Sequence, residues 1–476
     1  MFFGRERYLD ELSQLWNKRT SSLVTCRGRR RIGKSSLIET FAAKSDCRFI
    51  EISGAAIQPK MTNADQLAHF CEQLAEQSSL PKGVTTDTWM SAFRLLSSVI
   101  DDSRRTVVLL DEVSWMGKFD PNFAGALKTV WDKELKKHDR LILVVCGSVS
   151  TWIQRNILES SAFAGRLSLN LVVEELPLKE CLKFWGDRIS RLSVGEVVDV
   201  LSVVGGVPKY LEEIDPTVSA DENIRRLCFS ENGPLVDEFN QIFSEIFEDS
   251  ARVKKEILRA LKDGPLAAGE IAKALGVDRN GHLTRNLEEL ATAGFVARED
   301  GLNPATGKPL KIATYRIRDN YTRFYLHHME PRMAAIKARS FNFSSLENLA
   351  GWKTILGLQF ENLVVSHYRE LLPRLHLGSS LILSASSYRK FGDGGVQIDL
   401  LLQMNNAVYL VEVKRQGKIG VSVEKEISEK IKRLPLRGRK SVRLALVYCG
   451  ELDPAVAESG YFDALVPIED ILPWRQ

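Results

Sequence analysis

Eight residues constrain this chain more than any others: Gly28-Arg29-Arg30-Arg31-Ile32-Gly33-Lys34-Ser35. They satisfy G-x-x-x-x-G-K-[ST] at every fixed position. Leu23-Val24-Thr25-Cys26 before them is a short apolar strand, and Ser36-Leu37-Ile38-Glu39-Thr40-Phe41 after them has the apolar face of a helix. Strand, glycine loop and helix is the setting in which main-chain N–H groups from Gly28 through Ser36 wrap a phosphate. The positive end of the helix adds to the attraction. There Lys34 reaches the β- and γ-phosphates and the Ser35 hydroxyl holds Mg²⁺.

Thr106-Val107-Val108-Leu109-Leu110 is an uninterrupted apolar run, the pattern of a strand buried on both faces, and it ends in Asp111-Glu112. Ligand chemistry in open α/β sheets takes place at the C-terminal ends of strands. Asp111 is therefore expected to orient Mg²⁺ and Glu112 to polarise an attacking water as a general base. The alternative is a pair of acids that cap the next loop. Cys47–Ile52 reads as another strand, and residues 63–78 and 87–100 as helices. Leu141–Cys146 repeats the buried-strand pattern and ends in Gly147-Ser148, where Ser148 either senses a γ-phosphate or makes a turn. Arg166 either contacts a γ-phosphate, in cis or in trans, or forms a surface ion pair. At the N-terminus, Phe3-Gly4-Arg5-Glu6 either borders an adenine or starts a helix packed on the sheet. Helices near 178–187 and 193–203, then Gly205-Gly206-Val207-Pro208-Lys209-Tyr210, are expected to form a lid, with Lys209 a candidate to face the nucleotide.

These landmarks occur in an order that resembles the archaeal-type ATPase family: Phe3-Gly4-Arg5-Glu6, the phosphate loop, Leu109-Leu110-Asp111-Glu112, Gly147-Ser148, Gly165-Arg166 and Gly205-Gly206-Val207-Pro208. That family lies in the signal-transducing (STAND) branch related to AAA+ proteins. The resemblance implies an α/β P-loop ATPase with a helical lid, using ATP and Mg²⁺, in the class with a catalytic glutamate on an additional strand. Lys34, Glu112 and Arg166 are then the catalytic candidates.

Residues from about 250 to 320 read as a winged helix–turn–helix. Val253, Ile257, Leu258 and Leu261 give one helical face, 269–276 a short helix, and 279–293 a third helix with Leu283, Leu287 and Leu290 inward. Phe295-Val296 and Ile312–Ile317 make the hairpin. The third helix offers Arg279, Asn280, His282, Thr284 and Arg285 to a nucleic acid, and the wing adds Lys308 and Lys311. Glu288 and Glu289 oppose that reading, and a protein–protein spacer is the alternative. The arginine- and tyrosine-rich stretch 315–325 resembles the linker that follows the winged helix in the same family, and reads as a hydrophobic docking seam.

Gly394-Gly395 precedes Val396-Gln397-Ile398-Asp399-Leu400-Leu401-Leu402. After an Asn405-Asn406 turn, Ala407–Lys414 returns as a second strand. Glu412 and Lys414, two apart, share a face, and the hairpin brings Asp399 near them. Carboxylates among Val, Leu and Ile are costly unless paired or metal-bound. With Glu361 in a preceding helix, the order Glu361, Asp399, Glu412-Val413-Lys414 is similar to the PD-(D/E)XK nuclease core. Ile398 stands where the family name has proline. The resemblance implies that Asp399 and Glu412 hold Mg²⁺, that Lys414 is catalytic and that Glu361 is an auxiliary acid. A salt-bridge ladder on an exposed face is the alternative. The basic residues that follow (Arg415, Lys418, Lys430, Lys432, Arg433, Arg437, Arg439, Lys440, Arg443) are either a phosphate-backbone surface or a solvated helix face.

Net charge is +4 over 476 residues, so nothing global demands a nucleic-acid partner. The seven cysteines are odd in number and form no Cys-x-x-Cys pair, as in a reduced, cytoplasmic protein. No apolar run or leader suggests a membrane. Four segments are expected: a P-loop core (1–175), a helical lid (176–248), a winged helix (249–320) and a restriction-nuclease-like α/β domain (321–476). The expected function is an ATPase, with a homo-oligomer as a candidate assembly, whose nucleotide state controls a DNA-binding or DNA-cleaving C-terminal half. The alternative is an ATP-dependent signalling or assembly switch carrying a silent nuclease-like module.

Overall fold

A computed structural model describes residues 2–472, apart from 19, 149, 248–249, 344, 379, 391–394, 435 and 437–439. Gly394, Arg437 and Arg439 of the sequence reading lie outside the described residues. The chain divides into two compact units, Met1–Glu175 and Leu176–Gln476.

The first unit is built on a parallel sheet of β1 (Ser22–Gly28), β2 (Arg48–Ser53), β3 (Thr106–Asp111), β4 (Leu141–Gly147) and β5 (Leu167–Val173). Their spatial order is β2-β3-β4-β1-β5. β4 thus separates the strand that enters the phosphate loop from the strand that ends in Asp111. The resemblance implied a catalytic glutamate on an additional strand, but Glu112 directly follows β3 and caps the short helix Val113–Met116. β3 and β4 are buried along their length, because helices cover both faces of a parallel sheet. The longer helices are α1 (Glu6–Leu15), α2 (Lys34–Lys44), α3 (Asn63–Glu76), α4 (Trp89–Ser98) and α5 (Phe123–Lys133). Edge-to-face contacts of Phe70 with Trp89 and of Trp89 with Phe123, centroids 5.6 and 4.7 Å apart, lock α3, α4 and α5 together.

β5 is a strand that the sequence reading did not name. It lies parallel to β1 at the sheet edge, where Asn170 and Val172 face solvent. Its side chains alternate in burial, so it lacks the unbroken apolar run that reveals β3 and β4.

The second unit begins with helical segments. The helix expected at 178–187 breaks at Gly186, whose φ of 54° no helix accommodates. α6 (Val194–Val204) and α7 (Glu238–Phe247) follow. The winged helix comprises α8 (Ala251–Leu261), β6 (Leu266–Ala267), α9 (Ala268–Leu275), α10 (Gly281–Thr292), β7 (Val296–Glu299) and β8 (Thr314–Ile317), with strand order β6-β8-β7. α11 (Asn320–Phe324) and its extension are buried. The Tyr321 hydroxyl donates to the Leu235 carbonyl at 2.6 Å, and Tyr325 stacks on Phe239 with centroids 4.3 Å apart. The aromatic stretch is therefore an internal seam, as read.

α12 (Trp352–Ser366) then leads to a second five-stranded sheet of β9 (Ser384–Lys390), β10 (Val396–Gln403), β11 (Ala407–Ile419), β12 (Ser441–Leu452) and β13 (Ala464–Pro467), in order β13-β12-β11-β10-β9, flanked by α13 (Ser422–Arg433). β10 and β11 are antiparallel and β11 and β12 parallel. No helix among the described residues is long and apolar enough to cross a membrane.

Candidate functional site

The phosphate loop begins inside β1. Gly28 is the last residue of that strand, and a Cβ there would lie 2.3 Å from the Val173 carbonyl oxygen. Glycine is required because the end of β5 passes so close. Gly33, with φ 80°, caps α2 in the left-handed region that glycine occupies without strain. Arg5, 6% exposed, donates to the Ile32 carbonyl at 3.0 Å and to the Glu174 carbonyl. Of the two readings of Phe3-Gly4-Arg5-Glu6, the structure displays the start of α1, whose Tyr8 hydroxyl donates to the Val172 carbonyl of β5 at 2.9 Å; the brace of Arg5 on the loop was in neither reading.

Five expected residues meet at the end of the sheet. The Ser35 hydroxyl donates to Asp111 Oδ2 at 2.6 Å. Lys34 is 6% exposed, and its Nζ donates to the Arg29 carbonyl and to Ser148 Oγ, both at 3.1 Å. Ser148 donates from Oγ to Glu112 Oε1 at 2.7 Å and from its N–H to Oε2 at 3.2 Å. Ser148 therefore joins the loop lysine to the candidate base and is more than a turn residue. Glu112 itself has φ 46° and ψ 45°. This is a conformation non-glycine residues avoid, and such strain concentrates at functional sites. Ser35 and Asp111 offer hard oxygens side by side, a donor set that fits Mg²⁺. Of the remaining loop residues, Arg29 is buried and lies 3.6 Å from Glu175. Arg30, Arg31 and Gly33 are half-buried, Ile32 is buried, and Ser36 is exposed.

Arg166 does not join this group. Its guanidinium forks onto Asp132 at 2.8 and 2.9 Å, with Lys128 on the same carboxylate at 3.1 Å. The Arg166 fork holds the Asp132 carboxyl down to about 2. Of the two roles considered for Arg166, the structure displays the ion pair. Lys209, the lid candidate, pairs with Glu213 and Glu212 on its own turn at 3.2 and 3.5 Å.

On the winged helix, Asn280 is the N-cap of α10 and accepts from the Leu283 N–H at 3.0 Å, so it is committed to the helix. Arg279 precedes the helix, and His282, Thr284 and Arg285 are exposed along it. Glu289 corrects the sequence reading. It turns inward to Lys254 of α8, 2.7 Å away, whose fully buried Nζ also donates to Asn286 at 2.7 Å and Ser250 at 2.8 Å. Its charge is neutralised inside the domain, and Glu288 remains exposed. Lys308 and Lys311 are exposed on the wing.

In the second sheet, Leu400 pairs with Val411, which sets Asp399 opposite Glu412. Asp399 is 7% and Glu412 3% exposed. Asp399 Oδ2 accepts the Val413 N–H at 2.9 Å. Burial, then the nearby Glu412 and Glu361, push the Asp399 carboxyl well above the usual range. Burial likewise raises Glu361. Lys414 lies 2.9 Å from Glu412 and 3.0 Å from Glu426. Burial opposes its charge, yet these two carboxylates outweigh it and raise the amine. The ladder is therefore buried, not exposed. Asp399 and Glu412 are hard oxygen donors suited to a divalent cation. No three His, Cys, Asp or Glu side chains among the described residues converge closely enough to hold a metal.

The basic run is mostly paired. Lys430 turns inward to Glu412, Lys418 pairs with Asp453, Lys432 with Glu429 and Arg443 with Asp463, while Arg415 pairs with Asp199 of α6. Lys440 donates to the Met404 carbonyl and Arg433 to that of Gly395. Lys418, Lys432 and Arg443 nevertheless keep 60%, 69% and 53% of their side chains exposed in these pairs. Sequence reasoning also missed Glu426 and the inward role of Lys430, because the pairing joins a strand to a helix more than ten residues away.

Residues 2–214 match the family model described as an ATPase domain predominantly from Archaea, and residues 250–299 match a helix-turn-helix domain. An uncharacterised protein of Methanocaldococcus jannaschii is 24% identical over 419 residues, 87% of each chain. Among solved structures, a Walker-type ATPase of Pyrococcus abyssi is similar with TM-score 0.47 and 17% identity, covering 68% of this chain and 96% of that one. The ORC2 protein of Aeropyrum pernix, in its ADPNP–ADP complexes, gives TM-score 0.40 and 14% identity over 70% and 94% of the two chains. Residues 2–214 are thus a P-loop, ATP-binding ATPase domain of the predominantly archaeal family, joined to a helix-turn-helix domain at 250–299.

Proposed function

We propose that this ATPase uses its nucleotide state to control a C-terminal half that binds nucleic acid and cleaves it at Asp399, Glu412 and Lys414. Lys34 holds the β- and γ-phosphates, Glu112 polarises the attacking water, and Ser148 keeps Glu112 in register with Lys34. Ser35 and Asp111 would hold Mg²⁺, which would supply charge neutralisation for the phosphates. In the C-terminal half, Asp399 and Glu412 would hold a second divalent cation, and Lys414 would orient the water.

The observation that carries nucleotide control is the ion pair between Asp199 and Arg415. Asp199 lies on α6, inside the segment that matches the ATPase family. Arg415 directly follows Lys414 on β11. A second tie supports it: Gln359 of α12, two residues before Glu361, donates to the Ser202 carbonyl of α6 at 2.8 Å. A shift of α6 would therefore reach both sides of the hairpin site.

A second reading rests on the neutralised basic run. With its lysines and arginines already paired, the C-terminal half would act as a silent binding module, and ATP would drive assembly. Incubating supercoiled DNA with the protein, with and without ATP and Mg²⁺, separates the two readings. Nicking that depends on both and is lost in Lys414→Ala supports control of a nuclease. ATP turnover with intact DNA under every condition supports the switch.

A further inference from the structure

Glu412 receives two ammonium groups on one oxygen. Lys414 Nζ lies 2.9 Å from Oε1 and Lys430 Nζ 2.6 Å from the same atom. The two lysines differ in how they are held. Lys414 sits on the same strand and face as Glu412, and both Glu426 oxygens also lie 3.0 Å from its Nζ, so three carboxylate oxygens fix its ammonium. Lys430 reaches in from α13 on a flexible four-carbon stem, with 20% of its side chain exposed. A second acceptor already stands within its range: Glu426 Oε1, one helical turn earlier, is 3.1 Å away. Glu426 already accepts from Lys414, but it is 45% exposed, so it can hold the Lys430 ammonium as well with solvent screening the two charges.

Two nearly buried carboxylates on facing strands need positive charge between them. Here a helix-borne ammonium provides it, and a divalent cation bound by Asp399 and Glu412 would provide the same. Glu412 Oε1 already carries two ammonium groups, and a divalent cation would be a third positive charge on that oxygen, so one ammonium has to leave; Lys430, with one contact to each carboxylate, is held by fewer oxygens than Lys414.

We propose that Lys430 is a built-in substitute for the divalent cation: its ammonium holds Glu412 when no metal is bound and must swing to Glu426 before a cation can bind. Lys430 thereby sets the cation affinity of the hairpin site. This rests on the reading of Asp399 and Glu412 as cation ligands.

The test is Mn²⁺ binding to the full-length chain without nucleotide, followed by the loss of the free-ion signal in electron paramagnetic resonance. Lys430→Gln removes the competing charge, keeps a hydrogen-bonding tip, and is expected to tighten binding at least tenfold. Lys430→Arg keeps the charge and is expected to match the wild type. Asp399→Asn added to Lys430→Gln is expected to abolish the gain, which assigns it to this site. If the wild type binds Mn²⁺ at Asp399 and Lys430→Gln binds no tighter, the substitution idea is overturned and the metal-site reading stands. If neither protein binds Mn²⁺ through Asp399, the metal-site reading fails and takes the proposal with it.

Discussion

Asp199→Asn is the perturbation that most directly probes the link between the ATPase-family segment and the hairpin. The pair it breaks is partly buried: the Arg415 and Asp199 side chains retain 16% and 23% of their exposure. An exposed pair contributes about 0.2–1 kcal/mol. Removing one partner of a fully buried pair costs about 3–5 kcal/mol. The observed exposure lies between these cases, so we expect a loss of about 1–3 kcal/mol in the free energy of local opening, or a factor of about 5–150. The amide is neutral and isosteric with the carboxylate it replaces, and Arg415 would keep its contact with Cys449 Sγ at 3.4 Å, which holds the cost below the buried limit. Arg415→Gln should cost less. Burial already pushes the Asp199 carboxyl up against the pull of Arg415, so without the arginine it takes up a proton rather than remain a lone buried charge. The double variant should recover most of the loss. Hydrogen exchange over Val194–Val204 and Ala407–Ile419, with and without Mg-ATP, reads the effect. The wild type should show ATP-dependent protection in both segments, and Asp199→Asn should confine it to the first. Unchanged ATP-dependent protection of Ala407–Ile419 in Asp199→Asn would refute the linkage.

Two further outcomes follow from buried charges. Glu289→Gln strips the charged partner from the fully buried Lys254 and should destabilise the winged helix by about 3 kcal/mol, whereas Glu288→Gln on the exposed face should stay within about 0.5 kcal/mol; denaturant melts of the full chain, read at the winged helix by hydrogen exchange, compare them. His328 is 2% exposed and packs edge-on against Trp352, and neither ring nitrogen has a hydrogen-bond partner among the described residues. Burial lowers its pKa from 6.5 to about 4. The folded state thus binds its proton less readily than the unfolded state. The stability this gives is full above pH 6.5 and is lost as pH falls toward 4, a total on the order of 3 kcal/mol. His328→Leu should flatten that acid limb of the stability curve; an unchanged slope between pH 6.5 and 4 would show that other groups cause it.

The nucleotide site was legible because its chemistry is mostly main-chain. Two glycines, a lysine and a serine at fixed spacing leave few alternatives, and the strands that carry Asp111 and Ser148 are apolar along their whole length. β5 was not legible, since an edge strand buried on one side shows only broken alternation. Arg166 and Arg5 show the limit for long side chains. Sequence places each near the loop, yet Asp132 captures the first and the Ile32 carbonyl takes the second. Glu289 was misjudged for a related reason: helical spacing put it at the border of the apolar face, and only Lys254 on another helix decides which way it turns. In the hairpin, the facing of Asp399, Glu412 and Lys414 followed from the two-residue period of strands. The ammonium of Lys430 could not be placed, because nothing local in the sequence ties a helix residue to a strand residue 18 positions away.

Every role proposed for the nucleotide depends on the grip of the phosphate loop. Equilibrium titration of the wild type and Lys34→Ala with a non-hydrolysable ATP analogue and Mg²⁺ tests it most directly, with Glu112→Gln as a variant that keeps the loop intact. Saturable binding by the wild type and Glu112→Gln, weakened at least a hundredfold in Lys34→Ala, is the predicted result. Equal affinity in wild type and a folded Lys34→Ala would contradict it.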